Sequence, residues 1–394
     1  MPDFREELDS LRLKGLLREC RFISSACDTH ISIQGKKLLN LCSNNYLGLA
    51  NDKRLKGAAI RAINEFGVGA GASRLVSGST ILHQKLEKEL ARFKEGEACL
   101  VYATGYSANL GIISSLVGRN DVVYSDRLNH ASITDGIILS RAQLMRYPHR
   151  DTQTLEKLLS FQAAKSSRHQ KRLIVADSVF SMDGDIAPIP ELVNLAQKYD
   201  CLLMIDEAHA TGVLGENGKG SLEHFGIKAG ERIIQMGTLS KAVGCLGGFV
   251  CGSRDLIDYL VNRSRTFIFS TSLPAALCAS ALRAVNIIRR SSHLRARLWD
   301  NAKFLKDGLR SSGFDALESR TPIIPVLTGE PKQTMEFSRR LFSEGIFVQG
   351  IRPPTVPEGL CRLRITVMAT HTRKDLEFAL KKFRKVGKKL KVCN

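Results

Sequence analysis

Long apolar segments are missing from this 394-residue sequence. No uncharged apolar run approaches the roughly eighteen residues that a membrane-spanning helix needs. The first ten residues, Met1–Ser10, are polar and acidic and lack the apolar core of a secretory signal peptide. We therefore expect neither secretion nor a membrane partner.

Closely paired cysteines are also missing. The ten cysteines are scattered along the chain without a C-x-x-C pair, and a chain of this length does not depend on disulfide staples. This pattern predicts reduced thiols, a cytoplasmic protein and no metal site. No low-complexity tract or internal repeat is present, and 43% hydrophobic with 25% charged residues is ordinary for a globular protein.

Acidic residues are scarce relative to basic ones, 39 against 58, which gives a net charge of +19. Such a charge attracts either nucleic acid or a polyanionic small molecule, such as a coenzyme with several phosphates. Part of the excess lies in the basic runs 381–385 and 388–391, where a solvated helix face is the ordinary explanation. Because no RNA-binding sheet motif or helix-turn-helix signal is present, no nucleic-acid partner is expected. A basic nucleic-acid-binding protein on an inactive enzyme scaffold remains the alternative from another class.

Short apolar runs alternate with helical-period stretches in the first two thirds of the chain. This alternation is typical of an α/β protein whose mostly parallel strands are buried on both faces. The predicted strands are Ala98–Ala103, Asp121–Asp126, Arg172–Asp177, Cys201–Asp206, Arg232–Gly237 and Gly248–Gly252.

The pattern changes toward the end of the chain. A long helical stretch from Pro274 to about Ser311 precedes three strand candidates, at Ile323–Leu327, Ile346–Val348 and Leu363–Val367. The change indicates a second, smaller α+β domain. We expect an N-terminal arm (1–45), a large α/β domain (46–285) and a small C-terminal domain (286–394).

Chemically suggestive residues follow several of the predicted strands, and the carboxyl ends of parallel strands share one edge of a sheet. Gly105 lies in a turn that opens a helix, whose free N–H groups suit a phosphate. His130 and Ser181 lie in two other strand-end loops. Taken alone, the Gly105 turn is more often plain turn chemistry and His130 a surface histidine, and the Ser181 segment is just as typical of an ordinary loop.

Asp206 is more specific, because it ends a buried strand and is followed by His209. A buried carboxylate is costly unless it meets a cation, and a protonated pyridine nitrogen supplies one. A metal ligand or a Walker-B-like aspartate is the competing interpretation. No G-x-x-x-x-G-K-[ST] phosphate loop lies upstream to support the latter.

Lys241 follows the next strand, after Thr238, among small and apolar neighbours. Desolvation favours the uncharged amine, which is the nucleophile that forms a Schiff base. Asp206, His209 and Lys241 together therefore indicate one aromatic aldehyde cofactor.

With these motifs in place, nearly the whole chain resembles the α-oxoamine synthases. The resemblance is carried by Leu41–Leu49, Gly69–Gly78, Asp126–Ser132, Phe180–Asp185, Asp206–Gly212 and Ile351–Thr366. It implies pyridoxal 5'-phosphate (PLP) as cofactor and an aspartate-aminotransferase-like fold (PLP fold type I) with a mostly parallel seven-stranded sheet.

The resemblance also implies residue roles. Lys241 carries PLP as a Schiff base, Asp206 pairs with the pyridine nitrogen, His209 lies near the ring oxygen and His130 stacks on the ring; these four are the predicted catalytic residues. The other predicted cofactor contacts are Gly105, Tyr106, Ser181 and Thr238. The predicted substrate contacts are Asn44 and Arg364 for the amino-acid carboxylate, Arg18, Arg352 and Thr355 for the acyl-CoA or product, and His130.

Within the family, the approach to the R-L-R motif through Arg352–Pro357 is similar to members that use L-alanine. They join it to pimeloyl-CoA, or a pimeloyl-carrier protein, in biotin biosynthesis. Relatives that use glycine, making 2-amino-3-ketobutyrate or 5-aminolevulinate, are the alternative. The resemblance further implies a homodimer with interface active sites, where Ser270, Thr271 and Ser272 reach the neighbour's phosphate.

Overall fold

The computed structural model describes residues 4–164 and 170–393. The chain forms two compact units that do not follow chain order. The first unit, unit 1, comprises 1–51, 181–185 and 296–394, and unit 2 comprises 52–180 and 186–295. The predicted division into an arm, a large and a small domain stays a prediction, because compactness does not show which segments fold alone.

Unit 2 contains a seven-stranded sheet, as predicted. The strand order is β3-β9-β8-β7-β6-β4-β5, and β9 runs antiparallel to the other six strands of this sheet. The strands are β3 (Ala98–Tyr102), β4 (Val122–Asp126), β5 (Gln143–Tyr147), β6 (Arg172–Asp177), β7 (Leu202–Asp206), β8 (Ile233–Thr238) and β9 (Gly248–Gly252). The strand β5 has no counterpart among the predicted runs, since Gln143 and Arg146 are exposed and break its apolar pattern.

Helices cover both faces of this sheet. Successive residues of a strand point to opposite faces, so Leu173 and Ile174 of β6 belong to two different core clusters. The helices of unit 2 are α2 (Lys53–Phe66), α3 (Ile81–Lys94), α4 (Gly105–Leu116), α5 (Ala131–Ser140), α6 (Thr152–Ala163), α7 (Ile189–Lys198), α8 (Ser221–His224), α9 (Arg254–Arg263), α10 (Arg265–Ile268) and α11 (Ala275–Arg290).

Unit 1 contains two three-stranded sheets, ordered β1-β2-β11 and β10-β13-β12. Its strands are β1 (His30–Ile33), β2 (Lys36–Asn40), β10 (Ile323–Gly329), β11 (Ile346–Phe347), β12 (Gln349–Ile351) and β13 (Cys361–Thr366). Its helices are α1 (Phe4–Leu13), α12 (Ser292–Arg310, in this unit from Ala296), α13 (Pro331–Ser343) and α14 (Arg373–Leu390). The prediction of one helix from Pro274 to about Ser311 is wrong, because Ser291 leaves the helical conformation and separates α11 from α12.

Helix length and polarity bear on the membrane prediction. Across residues 4–164 and 170–393, no helix combines the length and apolar character needed to span a bilayer.

Candidate active site

Asp206 ends β7, and only 3% of the residue is exposed. Its Oδ1 accepts a hydrogen bond from the N–H of Ala208 at 2.9 Å, and its Oδ2 accepts one from Asn109 Nδ2 at 2.8 Å. Both donors are uncharged amides, which orient the carboxylate without neutralising it. A cationic ligand group would therefore gain from this position.

Lys241 and His209 meet at the same end of the sheet. Lys241 Nζ lies 2.9 Å from His209 Nε2. His209 follows β7 by three residues, whereas Lys241 follows β8 by three residues. The parallel pairing of these two neighbouring strands brings both loops together, and the half-buried lysine amine can react with a carbonyl.

The first turn of α4 and Thr238 form a narrow cleft of small residues. A Cβ on Gly105 would lie 3.2 Å from Thr238 Oγ1, so glycine permits this close approach. Thr104 caps the helix by accepting from Ser107 N at 3.0 Å. The backbone of Gly105 and Tyr106 opens the helix, where N–H groups without intrahelical acceptors favour an anion.

His130 is the residue immediately before α5, at the end of β4. Its Nδ1 accepts a hydrogen bond from Ser132 N at 3.2 Å, and its own backbone N–H donates to Asp177 Oδ2 at 2.7 Å. Although the residue is exposed, desolvation by surrounding atoms lowers the pKa of its ring. The Asp206 charge opposes this shift and the Lys241 charge reinforces it. A neutral imidazole at this site can stack on a flat ligand.

Three of the predicted residues of unit 1 lie together around Arg364. Arg364 Nη1 donates to Asn44 Oδ1 at 3.0 Å, and its Nε donates to the carbonyl of Ser181. The buried Nη2 has no hydrogen-bond partner among the described residues. This unused donor on a positioned guanidinium suits a carboxylate.

Arg18, Arg352 and Thr355 also lie in unit 1. Arg18 Nη2 donates to the carbonyl of Pro353 at 3.1 Å, and Arg352 donates to the carbonyl of Leu17. The N–H of Thr355 donates to the carbonyl of Arg352 at 3.1 Å. These residues tie the N-terminal segment to the loop that precedes β13.

The predicted site residues thus fall into two groups, one in each unit. Unit 2 brings together the main predicted cofactor contacts, whereas Ser181 and the predicted substrate residues except His130 belong to unit 1. Asn109, Ser132 and Asp177 contact the predicted residues but were not predicted themselves. Asn109 lies one helical turn after Gly105, and this spacing could have predicted that both residues lie on the same face of α4.

The unit 2 group fits PLP chemically. PLP presents an aldehyde, a phosphate and a pyridine nitrogen, which need an amine, an anion site and a carboxylate. Lys241, the first turn of α4 and Asp206 supply these three groups. The Gly105 cleft would be filled by any larger side chain.

Comparisons with known proteins agree with this chemistry. The family model for aminotransferase class I and II matches residues 36–383. The 8-amino-7-oxononanoate synthase of Citrifermentans bemidjiense is 52% identical over 394 residues, covering 100% of both chains. A solved lysine-to-alanine variant of serine palmitoyltransferase from S. paucimobilis, with a bound PLP–myriocin aldimine, has a TM-score of 0.93 and 32% identity, covering 99% of this chain and 98% of that chain.

A second solved structure, 8-amino-7-oxononanoate synthase from Francisella tularensis, has a TM-score of 0.76 and 28% identity. It covers 89% of this chain and 98% of that chain. The predicted aspartate-aminotransferase-like fold is therefore confirmed. The chain belongs to the aminotransferase class I and II family.

Proposed function

We propose that this protein is a PLP-dependent acyltransferase that condenses L-alanine with pimeloyl-CoA or a pimeloyl-carrier protein. The products are 8-amino-7-oxononanoate, carbon dioxide and the released CoA or carrier, as a step of biotin biosynthesis. The observation that carries the proposal is the 2.9 Å contact between Lys241 Nζ and His209 Nε2, next to the buried Asp206. The 52% identity to an enzyme named 8-amino-7-oxononanoate synthase supports the choice of reaction over that of the serine palmitoyltransferase at 32%.

The cofactor contacts divide by chemistry. When bound, PLP supplies an electron sink for charge that develops at the α-carbon of the amino acid. Asp206 would pair with the ring nitrogen, and His130 would contact the ring. His209 would contact the ring oxygen, while Gly105, Tyr106, Ser181 and Thr238 would hold the remaining polar groups, several through the phosphate.

Lys241 is the proposed acid and base. Its Nζ would hold the aldehyde group of the cofactor, accept the α-proton of the bound alanine and return a proton to the product carbon. His209 Nε2, 2.9 Å away, holds this amine in place. One flexible amine can therefore serve both proton transfers without a second base.

The substrate contacts are carried by unit 1. Asn44 and the unused Nη2 of Arg364 bind the planar carboxylate of alanine. Arg18, Arg352 and Thr355 contact the acyl donor or the product. The net charge of +19 favours capture of a polyanionic thioester from solution.

We further expect a cytoplasmic homodimer with interface active sites. The ten cysteines are all free, which fits a reducing compartment. In the dimer, Ser270, Thr271 and Ser272 contact the phosphate of the neighbouring site.

The decisive experiment is a visible absorbance spectrum of the purified protein supplied with PLP, followed by borohydride trapping. A cofactor band that Lys241→Ala abolishes and the exposed-lysine control Lys228→Ala retains supports the proposal. Absence of any lysine-dependent band in the wild type would refute it.

The substrate is tested by turnover of alanine and glycine with pimeloyl-CoA and acetyl-CoA. Alanine with pimeloyl-CoA is expected to react fastest. Turnover with glycine alone would favour a 2-amino-3-ketobutyrate-forming relative, while leaving the cofactor assignment intact.

A further inference from the structure

Asn109 connects two of the proposed catalytic residues without being one of them. It lies on α4, is 1% exposed, and uses its Nδ2 group twice. One hydrogen bond reaches Asp206 Oδ2 at 2.8 Å, and the other reaches Ser132 Oγ at 2.8 Å. Both protons of the amide are therefore committed.

Ser132 continues the connection to His130. Its Oγ lies 2.7 Å from His130 Nδ1, and its backbone N–H donates to the same nitrogen at 3.2 Å. Because Ser132 Oγ already accepts from Asn109, its own proton is available for Nδ1. A nitrogen that accepts two hydrogen bonds carries no proton, so the neutral ring is protonated on Nε2.

The orientation of the Asn109 amide follows from its partner. The reverse orientation would place the amide oxygen against the Asp206 carboxylate, where two acceptors repel. In the observed orientation Asn109 Oδ1 is buried without a hydrogen-bond partner among the described residues. A buried acceptor without a hydrogen bond is costly. This cost at Oδ1 is offset by the two hydrogen bonds that Asn109 Nδ2 donates.

We propose that Asn109 and Ser132 are positioning residues that hold Asp206 as a hydrogen-bond acceptor and His130 as the Nε2–H tautomer. The role rests on the proposed function, because both end groups are proposed to contact PLP. Asn109 donates to Asp206 and to Ser132, so Asp206 Oδ2 and His130 Nδ1 both act as hydrogen-bond acceptors. The Asp206–Asn109–Ser132–His130 chain thereby sets the protonation pattern on two sides of the cofactor.

Other charged groups act on the same histidine. Asp206 and Asp135 favour its protonated form, Lys241 opposes it, and Asp177 accepts from its backbone N–H. Removing the Ser132 hydroxyl leaves all four of these side chains in place. A shift of the pH titration in Ser132→Ala is therefore caused by the loss of the hydrogen-bond chain.

The first test titrates the cofactor absorbance against pH in the wild type, Asn109→Ala, Ser132→Ala and the double variant. We expect both single variants to move the titration midpoint and to lower kcat/KM about tenfold, the size of one charge-assisted hydrogen bond. The double variant should lose less than the product of the single losses, because the two residues act in one chain. Ser140→Ala, a buried serine on the same helix as Ser132, should match the wild type.

Asn109→Asp provides an isosteric check on folding. It keeps the size of the side chain but replaces both donors with acceptors, so its titration should shift at least as far as that of Asn109→Ala. Wild-type titration in Asn109→Asp, or multiplicative losses in the double variant, would overturn the proposal.

The second test needs no cofactor. Nitrogen NMR of histidine-labelled full-length protein before PLP is added, assigned with His130→Gln, should show His130 protonated on Nε2 and unprotonated on Nδ1. Asn109→Ala should move the Nδ1 resonance through Ser132. A protonated Nδ1 in the wild type, or an unmoved resonance in Asn109→Ala, would overturn the inference. Loss of the lysine-dependent band alone would instead count against the proposed function.

Discussion

Asp177 and Asp206 occupy matched positions at the ends of the neighbouring parallel strands β6 and β7. Both residues are buried, at 5% and 3% exposure. Burial, with the Asp206 charge as the second cause, raises the pKa of Asp177 well above its ordinary value. Two adjacent carboxyl groups of identical type therefore differ, because burial beside Asp206 favours the protonated form of Asp177.

Replacing aspartate with asparagine should consequently affect kcat very differently at these two positions. Asp177→Asn replaces a carboxyl whose raised pKa favours the neutral form with a neutral amide that can still accept from His130 N, so kcat should stay near the wild-type value. Asp206→Asn removes the charge proposed to pair with the pyridine nitrogen, and kcat should fall on the order of a hundredfold or more. Steady-state kinetics with alanine and pimeloyl-CoA compares them; equal losses would contradict this assignment.

Arg364→Lys should raise the KM for alanine. A lysine cannot keep the bonds to Asn44 and Ser181 while offering a further donor to a carboxylate, and loss of such a charged bond corresponds to about 10- to 100-fold in affinity. Arg362→Lys is the matched control, because Arg362 lies two residues earlier on the same strand and already pairs with Asp183 at 2.6 Å. The KM of Arg362→Lys for alanine should stay unchanged. A similar rise of this KM in both variants would count against a substrate role for Arg364.

His371 should make unfolding sensitive to acid. Burial lowers its pKa from 6.5 to about 4; Nδ1 accepts from Met368 N at 2.9 Å, and Nε2 contacts the Asn40 carbonyl at 3.1 Å. Below pH 6.5 His371 binds a proton in the unfolded chain but stays neutral in the folded chain. Its contribution to the free energy of unfolding is therefore fully present above pH 6.5 and is lost as the pH falls toward 4. The loss from this residue is about 3 kcal/mol.

Urea unfolding at several pH values measures this effect. His371→Asn keeps an acceptor for Met368 N, and its free energy of unfolding should fall less steeply between pH 7 and pH 4 than that of the wild type. The exposed His293→Asn serves as control and should keep the wild-type slope. An unchanged slope in His371→Asn would show that this histidine titrates normally.

Lys94 and Glu207 form a fully buried ion pair, with Lys94 Nζ 3.5 Å from Glu207 Oε2. Lys94→Met leaves the carboxylate buried without its cation, and the free energy of unfolding should fall by about 3–5 kcal/mol. Lys198→Met removes a lysine from the exposed pair with Glu156, and the free energy of unfolding should change very little. Adding Glu207→Gln to Lys94→Met should restore part of the loss, and no recovery would mean that the charge is not the cause.

Much of the fold and of the candidate site was predictable from local patterns. Buried parallel strands are continuous apolar runs, so β6 and β9 were predicted with their observed bounds. The half-exposed β5 lacks such a run. In unit 1 the predicted strand Ile346–Val348 covers β11, but β1, β2 and β12 were not predicted, and neither was the pairing of β11 with β2. Periodicity cannot show a pairing that joins opposite ends of the chain.

The sequence by itself determined which side chains carry the chemistry, because Asp206, His209 and Lys241 follow apolar runs whose carboxyl ends must converge in a parallel sheet. Only the tertiary structure decided how these groups are held. The bonds from Asn109 to Asp206 and to Ser132 join residues 97 and 23 positions apart, and the Asp177–Asp206 pairing depends on strand register. Hydrogen bonds need distances near 3 Å and correct angles, and only the packed chain sets such geometry between distant residues.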